Sequence, residues 1–265
     1  MEHSEEYEYS NLDFYREHHG RQLYYNWAGD IWWIEEPGKP KEKLFSIIGM
    51  NATKVFLKAD PEQGECGYRL NREIGLFCDP ITQEVLRYWK PADDQPERPV
   101  VHIANRMVQG SVRARQIVIP SGQAYVAKVT EIPLEYPHPL AKDSQYKEYC
   151  PGEKFKGIEY FTSHVARPEA TEVPPAQWAR DCPWMPWMRL GYGHPARLRF
   201  ETAIARVETF EDLHPNLVKL VRQRLPMYEF TPDQCDEPNM TSILYFKKYF
   251  ESYLKGEVFP MVETA

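Results

Sequence analysis

Several familiar chemical signatures are missing from this chain of 265 residues. No G-x-G-x-x-G turn and no Walker-type loop is present, so the usual backbone cradles for nucleotide phosphates are absent. No G-x-S-x-G turn offers an exposed serine nucleophile of the hydrolase kind. The five cysteines, Cys66, Cys78, Cys150, Cys182 and Cys235, form no C-x-x-C pair. Their odd number and wide spacing fit reduced, structural thiols. The eight histidines are dispersed, and no H-E-x-x-H or Cys/His cluster suggests a metal site. Positive charge is in deficit: the formal net charge is −7, against the basic stripe a nucleic-acid binder carries. No apolar run reaches the length of a membrane span. The acidic start, Met1 to Glu6, lacks the basic-then-apolar pattern of a secretory signal. These absences predict a cytoplasmic protein with no metal, no cofactor, no nucleic acid and no membrane among its partners.

Aromatic residues, at 14%, and hydrophobic residues, at 42%, are ample for a sizeable core. The run from Tyr68 to Cys78 alternates. Tyr68, Leu70, Ile74 and Leu76 share one face with Arg72, while Arg69, Asn71 and Glu73 share the other. Asp79-Pro80-Ile81-Thr82-Gln83 supplies a turn, with Asp79 as its Asx acceptor. Val100 to Asn105 then puts His102 between apolar neighbours. A guanidinium and an imidazole on apolar strand faces are costly unless paired or used.

Strands are expected at about 43–50, 53–58, 67–78, 84–89, 99–105, 112–119, 123–132, 157–167 and 196–208. Their spacing predicts an antiparallel meander or barrel-like sheet. A short helix is expected over 10–19 with Ser10 as its cap. Leu213 to Leu225 and Thr241 to Leu254 carry helical periodicity, with Thr241 as N-cap and Gly256 as stop. Pro133 to Pro151 reads as a surface loop, and Ala170 to Gly193 as an irregular one. The expected fold is α+β. A single domain spans 1–265, with 1–20 peripheral and helices over 210–256 packed on the β body.

Six segments carry a family resemblance. They are Trp27-Ala28-Gly29, Leu44 to Asn51, Tyr68 to Thr82, Val100 to Asn105, Pro183 to Met188 and Asn239 to Tyr249. Together they resemble domain-of-unknown-function family 1838, found in bacteria and fungi. The likeness runs from Trp27 to Phe250. It implies no catalytic residue. One departure stands out: Asn105-Arg106-Met107-Val108 lies where the family pattern has Asn-Asp-Pro-Val. If that acidic position serves chemistry in relatives, the chemistry here differs.

From the residues themselves, His102, Arg72 and Asn105 are the candidate catalytic groups. An imidazole suits proton transfer near neutral pH. Arg72 suits an anion or carbonyl anchor, and Asn105 can orient the ring or polarise a carbonyl. The competing reading makes Arg72 and His102 satisfied core residues. Trp27, Trp33, Tyr160, His164, Trp184, Trp187 and Met188 are the candidate binding residues. Tyr160 and His164 sit about 13 Å apart on one strand face. The Trp184 to Met188 loop is expected to be a lid, with Met adapting to irregular ligands. The expected function is a cofactor-independent isomerase, cyclase or lyase. Its partner is a small hydrophobic metabolite of polyketide, terpenoid or aromatic type, with a homodimer left open. The alternative is a non-catalytic carrier of lipocalin-like logic.

Overall fold

The structure is a computed structural model and describes residues 11–35, 38–60, 64–92, 94–110, 115–120, 125–166, 175–235 and 237–263. After helix α1 (Asn11–Glu17) come the long strands β1 (Gln22–Ile34), β2 (Glu42–Asp60) and β3 (Gly64–Cys78). Two short strands follow, β4 (Tyr88–Trp89) and β5 (Arg98–Pro99), then β6 (Ile103–Gly110), β7 (Arg115–Pro120) and β8 (Tyr125–Pro137). The sheet is completed by β9 (Lys154–Ala166), β10 (Ala176–Pro183) and β11 (Arg197–Val207). Helices α2 (Pro215–Arg224), α3 (Ser242–Lys248) and α4 (Phe250–Leu254) come last. All strands but β4 and β5 form one sheet in the order β6-β3-β2-β1-β11-β10-β9-β8-β7, and every recorded pairing in it is antiparallel.

That order forces the sheet to curl. Laid flat, nine strands span about 38 Å. Yet β6 and β7, its two edges, are joined by the chain between Gly110 and Arg115, which reaches at most about 18 Å. The sheet is accordingly a curled half-barrel. Its concave side is identified by contacts made across several strands. Trp27 on β1 meets Trp178 on β10, two strands away, with ring centroids 5.9 Å apart. Glu73 and Arg69 on β3 act electrostatically on Glu159 of β9, about 24 Å away along a flat sheet.

The convex side is covered over β1, β3 and β6 by the C-terminal segment. Tyr24 packs on Phe210 and donates to the Glu229 carbonyl at 3.1 Å. Residues Asn239 and Met240 finish the exposed edge of β6. Arg106 and Met240 exchange backbone bonds of 2.8 Å, and Asn239 Oδ1 accepts from the Val108 amide at 2.7 Å. This pairing takes the Arg106 and Val108 amides of the edge away from other chains.

Each end of the half-barrel is occupied. At one end α1 lays the Tyr15 ring over Gly67, where a Cβ would come within 2.7 Å of the ring. At the other end Trp187 packs against Phe45, Phe77 and Trp89. The buried hydrophobic side chains form one cluster from Tyr24 to Phe259.

Several elements differ from expectation. Residues 43–50 and 53–58 belong to one strand, β2. Of the expected strand 84–89, Tyr88–Trp89 forms a strand and Val85 makes a single antiparallel bridge to Cys78. The irregular segment expected at 170–193 contains β10, because Pro175 and Pro183 bracket that strand rather than interrupt it. The expected surface loop at 133–151 begins inside β8 and buries Tyr146 and Tyr149. Ser10, the expected cap of α1, lies outside the described residues. Thr241 does cap α3, accepting from the Leu244 amide at 3.4 Å, and Gly256 takes φ +73°.

Candidate functional site

Antiparallel partners directly opposite each other put their side chains on the same face. On the concave face this builds a row across four strands: Tyr25, Asn51, Glu73 and Asn105. The next row toward α1 holds Leu23, Thr53, Asn71 and Met107; the row on the other side holds Trp27, Gly49, Gly75 and Ile103.

Glu73 is the hub. Its Oε2 accepts from Asn51 Nδ2 at 3.0 Å and its Oε1 from Asn105 Nδ2 at 2.7 Å. Each amide is in turn held by an outside donor. Trp27 Nε1 donates to Asn51 Oδ1 at 2.8 Å, and Ser242 Oγ at the start of α3 donates to Asn105 Oδ1 at 2.9 Å. With both amide oxygens occupied, both NH2 groups turn toward the carboxylate. Asn71 completes the set, accepting from Thr53 Oγ1 at 2.7 Å and from Asn51 Nδ2 at 3.0 Å. Each carboxylate oxygen has a second lone pair that these bonds leave over.

The Trp27 ring reaches this position because its neighbours are glycines. A Cβ on Gly49 would come within 2.0 Å of the indole, and one on Gly75 within 2.7 Å. The indole lies flat on the backbone there, which any larger residue forbids.

Across the half-barrel, β10 and β9 supply Trp178, Arg180, Phe161 and Glu159 to the same face. Arg180 Nε lies 3.7 Å from Glu159 Oε1, and the guanidinium stacks over Phe155 at 5.3 Å. Burial pushes the Glu159 carboxyl above its ordinary range, with Glu73 adding to the rise; Arg180 opposes it. Burial works against the Arg180 charge, but Cys182, Glu159, Tyr136 and Glu73 outweigh it and raise its pKa. Glu73, Asn51, Tyr25, Trp178, Phe161, Glu159 and Arg180 are all only partly buried, so this stretch of the concave face is not packed core.

The sequence candidates fall in different places. Asn105 and Trp27 are in the site. Arg72, next to Glu73, points to the convex side, where it lies beside Tyr228 and opposite Arg106. His102 does not share a cavity with Arg72. Its Nδ1 accepts from the Phe77 amide at 3.1 Å, five residues and about 17 Å along β3 from Arg72. The ring stacks on Phe77, fully buried, and burial lowers its pKa to about 4 against a hydrogen bond to the Leu86 backbone. It is bonded to backbone within the core. Tyr160 and His164 alternate with Glu159, Phe161 and Ser163, so they lie on the convex face; Arg199 covers the Tyr160 ring at 5.6 Å. Trp33 sits eight residues along β1 from Tyr25, against His194. Trp184, Trp187 and Met188 are at most 2% exposed, and Trp187 plugs one end of the half-barrel against Phe45, Phe77 and Trp89. The unexpected Arg106 is on the convex face and leaves the Glu73 network untouched.

Sequence reasoning missed Glu73, Asn51, Glu159, Arg180 and Ser242. A signal existed for the first: Asn71, Glu73 and Gly75 alternate on one strand face, polar and small where a solvent face would carry long charged chains. Among the described residues no three His, Cys, Asp or Glu side chains gather as a metal would need, and no helix is long and apolar enough to cross a membrane. Cys182 is no nucleophile, since burial pushes its thiol up to about 11.

No curated protein and no solved structure matches the chain. A family model does, over residues 20–250, and its description is a protein of unknown function, DUF1838. Trp27, Asn51, Glu73, Asn105, Glu159, Arg180 and Ser242 all fall inside that span, and five of them come from the segments that carry the resemblance. The chain belongs to the DUF1838 family.

Proposed function

We propose that this protein is a cofactor-independent enzyme that moves a proton within a small molecule, the isomerase among the expected isomerase, cyclase and lyase activities. Glu73 is the base. It takes a proton from a carbon of the substrate and returns it at another position, so atoms and charge balance without a further reactant. The observation that carries this reading is the fixing of both Glu73 oxygens by two amides whose own orientations are locked. A carboxylate held to one position, with a lone pair left on each oxygen, is prepared for proton transfer. Glu159, whose affinity for a proton is raised, faces it as the matching acid. Trp178 and Phe161 give the substrate an apolar wall. The substrate class is a small molecule with an apolar body, of polyketide, terpenoid or aromatic type. His102 and Arg72 take no part.

A carrier is the second reading, and the partly buried concave face favours it equally. Deuterium separates them. Small molecules that co-purify with the protein are identified by mass spectrometry and returned to it in D2O. The enzyme reading expects uptake of deuterium at carbon, falling by about 10²- to 10⁴-fold in Glu73→Gln with circular dichroism unchanged. Tight binding with no uptake in the wild type leaves the carrier.

A further inference from the structure

We infer that the ligand of the concave site carries a carboxylate, bound by Arg180, on a flat apolar body lying against Trp178 and Phe161. The inference rests on the concave face being the ligand site, and not on the chemistry at Glu73.

Charge is the first observation. The chain as a whole is acidic, at −7. Yet among the described residues the partly or fully buried charged groups on the middle of its concave face are three cations, Arg69, Lys128 and Arg180, and two carboxylates, Glu73 and Glu159. A protein that places its acids outside and an excess of cations inside a cleft concentrates anions there.

The donor is the second. Arg69 is committed, its Nε donating to Gln109 Oε1 at 2.5 Å. Among the described residues Arg180 makes no hydrogen bond: its Nε is buried without a partner, and its contact to Glu159, at 3.7 Å, is an ion pair only. Arg180 as a whole is only partly buried and its Nη groups are not among the buried orphans, so these are the donors an incoming acceptor can reach. The guanidinium carbon lies over the Phe155 ring, 5.3 Å from its centroid. A guanidinium fork matches the two oxygens of a carboxylate.

The wall is the third. Trp178 is two residues from Arg180 on the same face of β10, directly opposite Phe161 of β9. Two residues along a strand are about 7 Å. That separation suits an acid group on Arg180 with a ring or conjugated chain against the indole.

The test compares flat acids with their primary amides: 3-phenylpropanoate, cinnamate and 2-naphthoate, each against its amide. Binding is followed by calorimetry and by tryptophan fluorescence. In wild-type protein at least one acid is expected to bind about tenfold or more tightly than its amide, the margin of a charge-assisted bidentate contact. Arg180→Gln is expected to erase that preference while amide affinity stays unchanged, which also reports an intact fold. Arg180→Lys, which keeps the charge and loses the fork, is expected to retain part of it. Equal binding of acid and amide by the wild type overturns the inference. So does the absence of saturable acid binding, or a preference that survives Arg180→Gln. Should Arg180→Gln fail to fold, the wild-type comparison and Arg180→Lys decide. Failure of the catalytic reading looks different: acids are preferred, but no ligand takes up deuterium.

Discussion

Phe77 donates its amide to His102 Nδ1, and the buried imidazole carries a pKa of about 4 against an ordinary 6.5. His138, with Nδ1 accepting from the Leu140 amide and close to Cys150 Sγ, is also lowered to about 4. Both rings are neutral in the folded protein at neutral pH. Below pH 6.5 the unfolded chain binds protons that the folded chain refuses until about pH 4. Stability from these groups is therefore complete above pH 6.5 and lost as pH falls through that window. For His102 alone the loss is about 3 kcal/mol at its limit. Urea unfolding at pH 7 and at pH 5 is expected to show the wild type weaker in acid. His102→Gln should be less stable at pH 7, by about 1–3 kcal/mol through its orphaned partners. Its stability should also depend less on pH. An unchanged slope in that variant refutes the buried neutral imidazole. Histidine chemistry was half legible in the sequence. The cost of an imidazole among Val100, Val101 and Ala104 was plain. That backbone groups meet the cost, rather than a substrate, depends on the path of residues 77–86, which no local pattern encodes.

Periodicity within a strand tells which residues share a face. On β3 it grouped Leu70, Arg72, Ile74 and Leu76 correctly, and all four are buried. It did not tell which face is concave. Helices cover the outside of this sheet, so the most apolar face of β3 is the convex one, and the site occupies the other. The same inversion moved attention to Tyr160 and His164 of β9 and away from Glu159 and Phe161. Curl is set by the long-range order β6 to β7, which the spacing of strands in the sequence does not contain. The Trp27 platform follows from curl as well as from sequence, because glycine is needed only where the ring crosses neighbouring strands. Gly49→Ala is expected to push the indole away from Asn51 and cost about 1–3 kcal/mol as overpacking. In a Trp27→Leu background the same substitution should cost markedly less, because the clash is with the indole. Chemical denaturation of the four proteins in this cycle measures the difference. An undiminished cost in the Trp27→Leu background locates the strain elsewhere.

At the scale of the whole molecule, two sets of tryptophans have opposite duties. Trp187 is 2% exposed, meets Phe45, Phe77 and Trp89, and its carbonyl accepts from Tyr253 at 2.8 Å. It joins the end of the half-barrel to α4, so it bears on whether the sheet and the C-terminal segment fold as one unit. Trp178 lies partly exposed on the concave face, beside Trp27 and Phe200. Composition marked both as aromatic residues in proline-flanked sequence and could not separate them; burial does. Trp187→Ala leaves a cavity among three rings, and such truncations cost about 3–5 kcal/mol. That is a large part of the roughly 5–15 kcal/mol that holds a domain of ordinary stability together. The expected result is a sharp fall in melting temperature, with the folded fraction binding ligand normally. Trp178→Ala removes the wall of the site but less of the core. It should lower ligand affinity by tenfold or so, from the loss of an aromatic contact, and lower the melting temperature less than Trp187→Ala. Thermal melts and calorimetric titrations on the two variants test both halves together. If Trp187→Ala instead weakened binding without unfolding, the plug would be a lid after all, and the ligand would enter from that end of the half-barrel.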